Sequence, residues 1–261
     1  MSDKWNRVDG GEVLWLAERD PGSITGFDVE RGAPGSLWIL NAMYEQETPA
    51  GGETHDERHR RMLDSGEVEP WRVGDWVETD TPGLTVPGGG LGWEGDPGPG
   101  WRRLRWRELS DRVGDPVVPM HMKPEHRYPS YHVFPSVKRN RSWPTSIQPP
   151  TEGSLDRESF RALMDVLRSY SGAETELFAH WCQCIADDFN VLEVYQGRLR
   201  DAEELELLDY QGSPANLWPI DRSWLVYTDW DLWGTKVSGP PELLSMNEDD
   251  DFLETIRLPL E

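Results

Sequence analysis

The densest group of residues able to do chemistry is Asn216-Leu217-Trp218-Pro219-Ile220-Asp221-Arg222-Ser223-Trp224, followed by Thr228-Asp229-Trp230-Asp231-Leu232-Trp233-Gly234-Thr235-Lys236. Asp229 and Asp231 lie two apart, so an extended chain puts both carboxylates on one face. Such a pair can act as general acid and base or grip a divalent cation. With Asp221 they form the candidate catalytic set of a hydrolase-type enzyme. Trp218, Arg222, Trp224, Trp230, Trp233 and Lys236 are the binding candidates, because indole rings and cations anchor contact surfaces. The same indoles could instead pack between a sheet and a helix, and Asp221 with Arg222 could close an ion pair at a strand start.

Other constellations are less complete. His55 and His59 are four apart and share a helix face, which suits a metal ion. Zinc-protease helices place Glu directly after the first His; here Asp56 stands there, and Arg58, Arg60 and Arg61 repel a cation. His180, Cys182 and Cys184 would line one side of a strand, but no fourth ligand accompanies them at zinc spacing. His121, His126 and His132 are interrupted by Pro124, which fixes no ligand geometry. Arg102 to Arg107, flanked by Trp101 and Trp106, has the base-and-aromatic composition of a single-strand binder. There is no G-x-S-x-G and no phosphate loop. The expectation is a protein with no cofactor and no resident metal.

The elements that must position these residues read as α+β: a mixed or antiparallel sheet with few helices and Gly/Pro-rich loops. Glu12–Leu16 reads as a strand, and Ser36–Tyr44 is an apolar run of strand length whose alternative is a buried helix turn. Thr54–Leu63 reads as a helix opened by a capping box, Thr54 with Glu57. Residues 80–100 read as an irregular loop. A helix through Leu109 and Val113 stops at Gly114. Phe160, Leu163, Met164 and Leu167 give a helical stripe expected to start at Ser154 and end at Gly172, facing the same sheet as Trp224 and Val226. Leu177–Ile185, Val191–Tyr195, Ser223–Thr228, Lys236-Val237 and Glu254–Leu258 read as strands. Ala202–Leu208 and Pro241–Met246 read as short helices, and Asn247–Asp251 as an acidic loop. The expected organisation is an N-terminal α/β part over 1–137, a Pro-rich linker over 138–153 and a C-terminal α+β part over 154–261.

Charge narrows the function classes. The 261 residues hold 48 acidic and 26 basic side chains, a formal charge of −22. Both halves are acidic: residues 1–140 carry 24 acids against 17 bases, and residues 141–261 carry 24 against 9. Nucleic acid and anionic membranes are disfavoured as partners, because phosphate binding needs excess Lys and Arg. A basic protein partner is favoured. The two cysteines stand too close together to bridge, and no apolar run or leader segment is visible, so the expected location is the cytoplasm. Fourteen Trp imply packed cores or contact surfaces.

The Trp218–Gly239 block resembles the C-terminal hallmark of a family of actinobacterial proteins without an established activity. In that family a WP-x-DR-x-W stretch leads to an acidic turn and a T-x-V-x-G segment. The matching residues are Trp218, Pro219, Asp221, Arg222 and Trp224, then Asp229 or Asp231, then Thr235, Val237 and Gly239. Leu253-Glu254, Leu104–Leu109 and Pro150–Leu155 extend the likeness over roughly residues 100–261. The family's histidine near its first apolar run has no counterpart in Leu40-Asn41-Ala42. The resemblance implies a shared fold rather than an activity. The leading functional expectation is therefore a non-catalytic acidic module of the immunity or antitoxin type. A carboxylate hydrolase and a His-based metal binder are the alternatives.

Overall fold

A computed structural model describes residues 4–20, 23, 25–28, 35–48, 51–69, 72–73, 76–77, 95–122, 127–181, 192–208 and 212–258. Its strands are β1 (Asn6–Val8), β2 (Ser36–Leu40), β3 (Met43–Gln46), β4 (Arg72–Val73), β5 (Trp76–Val77), β6 (Trp101–Leu104), β7 (Ile147–Gln148), β8 (Glu176–Trp181), β9 (Glu193–Arg198), β10 (Asn216–Pro219), β11 (Leu225–Thr228), β12 (Gly234–Ser238) and β13 (Thr255–Leu258). The α-helices are α1 (Leu14–Ala17), α2 (His55–Ser65), α3 (Trp106–Val113), α4 (Arg157–Ser171) and α5 (Pro241–Glu248). Eight strands form one antiparallel sheet in the order β1-β9-β8-β10-β11-β12-β2-β13. A three-stranded sheet, β6-β3-β7, and the β4-β5 pair complete an α+β fold with antiparallel sheets. No helix among the described residues is long and apolar enough to cross a membrane.

Local chemistry explains the helices. Thr54 accepts from the Glu57 amide while the Glu57 carboxylate accepts from the Thr54 amide, and Gly66, at φ 74°, ends α2 in the left-handed region. Gly114 ends α3 in the same way. The α4 stripe packs on one face of the large sheet, where Phe160, Leu163 and Leu167 share a core with Trp224, Val226, Val237 and Ile39. Leu163 is fully buried, so Leu163→Ala should cost about 2–5 kcal/mol in urea unfolding.

Several sequence expectations need correction. Glu12–Leu16 is helical: a 3-10 turn over Gly10–Val13 runs into α1. Asp9 caps the turn through Gly11, and the coil sends Val13 and Leu16 into one cluster with Phe178 and Trp218. Ser36–Tyr44 is two strands in different sheets. They part at buried Asn41, whose side-chain amide donates to the Thr151 and Ser154 carbonyls at 2.6 and 2.8 Å. The cap of α4 is Asp156, whose Oδ1 accepts from the Ser159 amide at 2.9 Å, while Ser154 Oγ accepts from the Ser213 amide. The acidic helix is a 3-10 helix over Leu199–Leu207, and α5 extends to Glu248 into the expected loop. Residues 138–153 contain β7 and do not separate two sheets. Strands β1 and β2 from before them and β8 to β13 from after them hydrogen-bond in one sheet.

Opposite α4, the sheet carries polar side chains in a row. His180, Asn216, Tyr227, Lys236 and Trp38 are successive register partners across β8, β10, β11, β12 and β2. All five are buried. Phe27 covers part of this row, exchanging hydrogen bonds of 2.9 Å with the Asn216 side chain.

Candidate functional site

The β11–β12 turn is built by Asp229. Its Oδ1 accepts from the Asp231 amide at 2.9 Å, and its Oδ2 accepts from the Tyr227 hydroxyl at 2.6 Å and the Thr25 hydroxyl at 2.8 Å. Backbone bonds then lock the turn to distant segments: Trp233 donates to Pro129, Gly153 to Leu232 and Asn41 to Trp233, all within 3.0 Å. Gly153 sits at φ 73°, and a Cβ there would lie 2.6 Å from the Trp230 carbonyl oxygen. The close approach therefore requires glycine.

This packing gathers a set of titratable groups. Trp233 is buried beside Trp106 and Trp143. The Lys138 ammonium lies 5.0 Å from the Trp143 ring and 5.1 Å from the Trp233 ring, and donates to the Tyr131 carbonyl at 2.6 Å. Burial pushes Lys138 down to about 8, against the pull of Asp115 and Glu152. Burial first, then the Asp231 charge, pushes Glu152 up to about 7, while a hydrogen bond from Trp233 and the Lys138 charge act the other way. Asp231 is also raised, by burial and by Asp229. Tyr131, whose carbonyl accepts from Lys138, is 60% exposed. The Tyr131 ring lies 3.9 Å from His132, whose ring lies 6.4 Å from His121. A carboxyl and an amine that titrate near neutrality can exchange protons, and carboxylates raised by burial and by one another favour a cation placed between them.

A second polar group lies further along the same face. Lys236 Nζ is 2.9 and 3.0 Å from the two Asp28 carboxylate oxygens, and the Asp28 amide donates to Asp20. Tyr227, opposite Lys236, has its hydroxyl proton held more tightly by burial and by the Asp229 charge. Lys236 is thus a buried ion-pair partner rather than a surface cation.

The remaining candidates disperse. Asp221 lies at the other end of β11 from Asp229 and Asp231, exposed, its Oδ1 accepting from the Ser223 amide at 3.0 Å. The three-aspartate set is therefore split. Arg222, at φ 57°, lays its guanidinium 4.6 Å from the Trp15 ring. Trp218 is buried and stacks on Phe178 at 5.6 Å, and Trp224 is buried with its Nε1 donating to Ser171 Oγ at 2.9 Å. Both serve the core. Trp230 stays half-buried at the turn. His55 is turned inward, its Nε2 2.9 Å from the Ile147 carbonyl oxygen, and burial lowers its pKa. Among the described residues no group of three or more His, Cys, Asp and Glu is arranged to hold a metal ion. His180 is buried against Phe27 and pushed down to about 4 by burial. Cys182, Cys184 and His126 lie outside the described residues.

The charged runs are largely used internally. Arg102 pairs with Glu45 and Glu108, and Arg105 and Arg107 donate to the carbonyls of Asp251, Phe252 and Thr255. Glu203 pairs with Arg168, Glu204 with Lys4, and Glu206 with Arg157 and Arg161. The short acidic helix is thereby neutralised by the chain itself. Lys138 and Glu152 were missed as site residues because they fall in a stretch whose prolines read as a linker.

No protein-family profile, curated protein or solved structure matches this chain.

Proposed function

We propose that the protein is a non-catalytic binding module that engages a basic protein partner at the Asp229–Trp233 turn, in the manner of an immunity or antitoxin protein. The carrying observation is that exposed Tyr131, whose carbonyl accepts from the Lys138 ammonium, belongs to the group that holds Glu152 and Asp231, both carboxyls above their usual range. A Lys or Arg side chain of a partner would relieve that strain, and Tyr131 supplies the aromatic anchor common at hot spots. The charge of −22 steers a basic partner towards the surface from a distance. A cytoplasmic setting fits this reading. The likeness to the actinobacterial family extends, on the same reading, to a shared hairpin built on Trp218, Trp224 and the acidic turn.

The test is a photo-crosslinking amino acid placed at Tyr131 and, as a control, at Ile220, which is 49% exposed beyond the other end of β11. Tyr131 alone should capture a basic protein. Association with that purified protein should slow as salt rises, and Asp231→Lys should slow it further. Equal capture from both positions, or an unchanged on-rate in Asp231→Lys, would refute the reading.

A second reading is an acid–base enzyme that uses Glu152 and Lys138, favoured by their titration at about 7 and about 8. Unlike the hydrolase expectation, it leaves Asp221 out. Competitive acylation at pH 8 should then modify Lys138 ahead of Lys4; equal reactivity of the two amines removes its support. Metal binding through His55 and His59 gains no observation.

A further inference from the structure

We infer that the face of the Arg139–Ser142 hairpin and α2 is a binding site for a small, multiply charged anion, a phosphorylated or polycarboxylate metabolite. A cavity of about 430 Å³ opens there, lined by Arg60, Arg139, Asn140 and Arg141 together with Asp56 and Glu57. Three arginines, all exposed, line one cavity in a chain with 48 acids and 26 bases. Arg141 makes no hydrogen bond or ion pair among the described residues, although carboxylates outnumber cations nearly twofold. Guanidinium forks match phosphate and carboxylate oxygens in pairs, which gives such a cavity its ligand class.

The backbone holds these groups in place. Arg139 and Ser142 exchange both backbone hydrogen bonds, at 2.9 and 3.0 Å, around two central residues. Those residues, Asn140 and Arg141, have φ of 52° and 70°. A two-residue turn with both central φ positive favours Asn followed by Gly. Asn140 fits; Arg141 stands where glycine would sit without strain. The hairpin is pinned to α2 through the Ser142 hydroxyl, which accepts from the Asp56 amide at 3.1 Å, and through the Trp143 carbonyl, which accepts from the His55 amide at 3.0 Å.

The helix end is not the site. Its first amides are taken by Ser142, Trp143 and Thr54, and Glu57 closes the capping box. The guanidiniums carry the binding. Arg139 already holds the Glu57 carboxylate, which shows the geometry an anion would use and sets the group it must displace. The overall negative charge opposes the ligand only weakly at close range, because the screening length is about 8 Å at physiological salt. This proposal does not rest on the partner-binding reading.

Calorimetric titration of the whole chain at about 0.15 M salt with inorganic pyrophosphate and with citrate tests it. At least one should bind saturably, and the stronger of the two tells phosphate from carboxylate chemistry. Arg141→Gly and Arg60→Gln should each weaken that binding at least about tenfold, which is about 1.4 kcal/mol. Arg141→Gly should melt no lower than the parent, because glycine suits the left-handed position, so lost binding cannot be ascribed to lost folding. No saturable binding of either anion up to about 10 mM, or unchanged binding in Arg141→Gly, would overturn the proposal.

Discussion

Two turns close β11 at its opposite ends, and in the sequence they look alike: Ile220-Asp221-Arg222-Ser223 before it and Asp229-Trp230-Asp231-Leu232-Trp233 after it. Each uses an aspartate to accept from the backbone amide two residues on, at 3.0 Å for Asp221 and 2.9 Å for Asp229. From there they diverge. Ile220 to Ser223 are all exposed, and the one noted aromatic contact of that turn is Arg222 over Trp15. The second turn hydrogen-bonds to residues 41, 129 and 153 and buries Trp233. An aspartate turn is thus a local device that says nothing about function. What differs is which distant segments dock on it.

The largest expected contrast is in stability. Trp233 contacts Trp106 and Trp143 and is 6% exposed, so Trp233→Ala should cost about 3–5 kcal/mol. Asp221→Ala should stay within about 0.5 kcal/mol. Urea unfolding of both variants checks the pair; similar losses would mean that the second turn is no better packed than the first.

The next contrast concerns Lys236, in the strand that leaves the second turn. Its ammonium is buried and meets both Asp28 oxygens. Asp28→Ala should cost about 3 kcal/mol by stripping a buried charge of its counter-ion. Asp28→Ala combined with Lys236→Met should cost less than Asp28→Ala alone, because the unpaired charge is then gone. A double variant that is less stable than the single one would show that Lys236 contributes packing rather than charge.

The sequence made some of this legible and hid the rest for physical reasons. The α2 capping box, the α4 stripe and the Gly114 stop are local signals, and each element formed at or within a few residues of its expected place. The strand read at Glu12–Leu16 failed because a run of Val and Leu suits either period, and packing of Val13 and Leu16 decided for a helix. Asn41 broke an apolar run through contacts with Thr151 and Ser154, more than 100 positions away. Asp229, Asp231, Trp230 and Trp233 were visible as a group. Their partners Lys138 and Glu152 were not, since nothing local distinguishes a buried Glu near a proline run from an exposed one.

The titration of Glu152 sharpens the comparison further. Its carboxyl is raised from 4.5 to about 7 in the folded chain. A raised folded-state value means the associated stability is fully present below the unfolded value and is lost as pH rises through the folded one. Glu152 should therefore lower stability between pH 4.5 and 7 by up to about 3 kcal/mol. His180, lowered from 6.5 to about 4, acts in the opposite sense between those values, so the difference between parent and Glu152→Gln is the quantity to measure. That difference should grow with pH across the window. A flat difference for Glu152→Gln would place that carboxyl in solvent.

The smallest expected effect is at Arg222, where two contributions nearly cancel. Its φ of 57° puts a long side chain in the left-handed region. There Arg222→Gly should gain stability, by about 1 kcal/mol at most if strain alone mattered. Against this, the substitution removes the guanidinium from the Trp15 face at 4.6 Å, a contact worth about 0.5–1 kcal/mol at an exposed site. Glycine also adds freedom to the unfolded chain, which opposes the gain. The net change in urea unfolding should be within about 0.5 kcal/mol. Arg222→Lys separates the two contributions: it keeps the strain and a cation but loses the flat stacking surface, so it should be the less stable variant of the pair. If Arg222→Gly instead cost more than about 1 kcal/mol, the stacked guanidinium would be holding α1 against β10. The first turn would then be docked in its own right, and the contrast with the second would shrink to the number of distant segments each one holds.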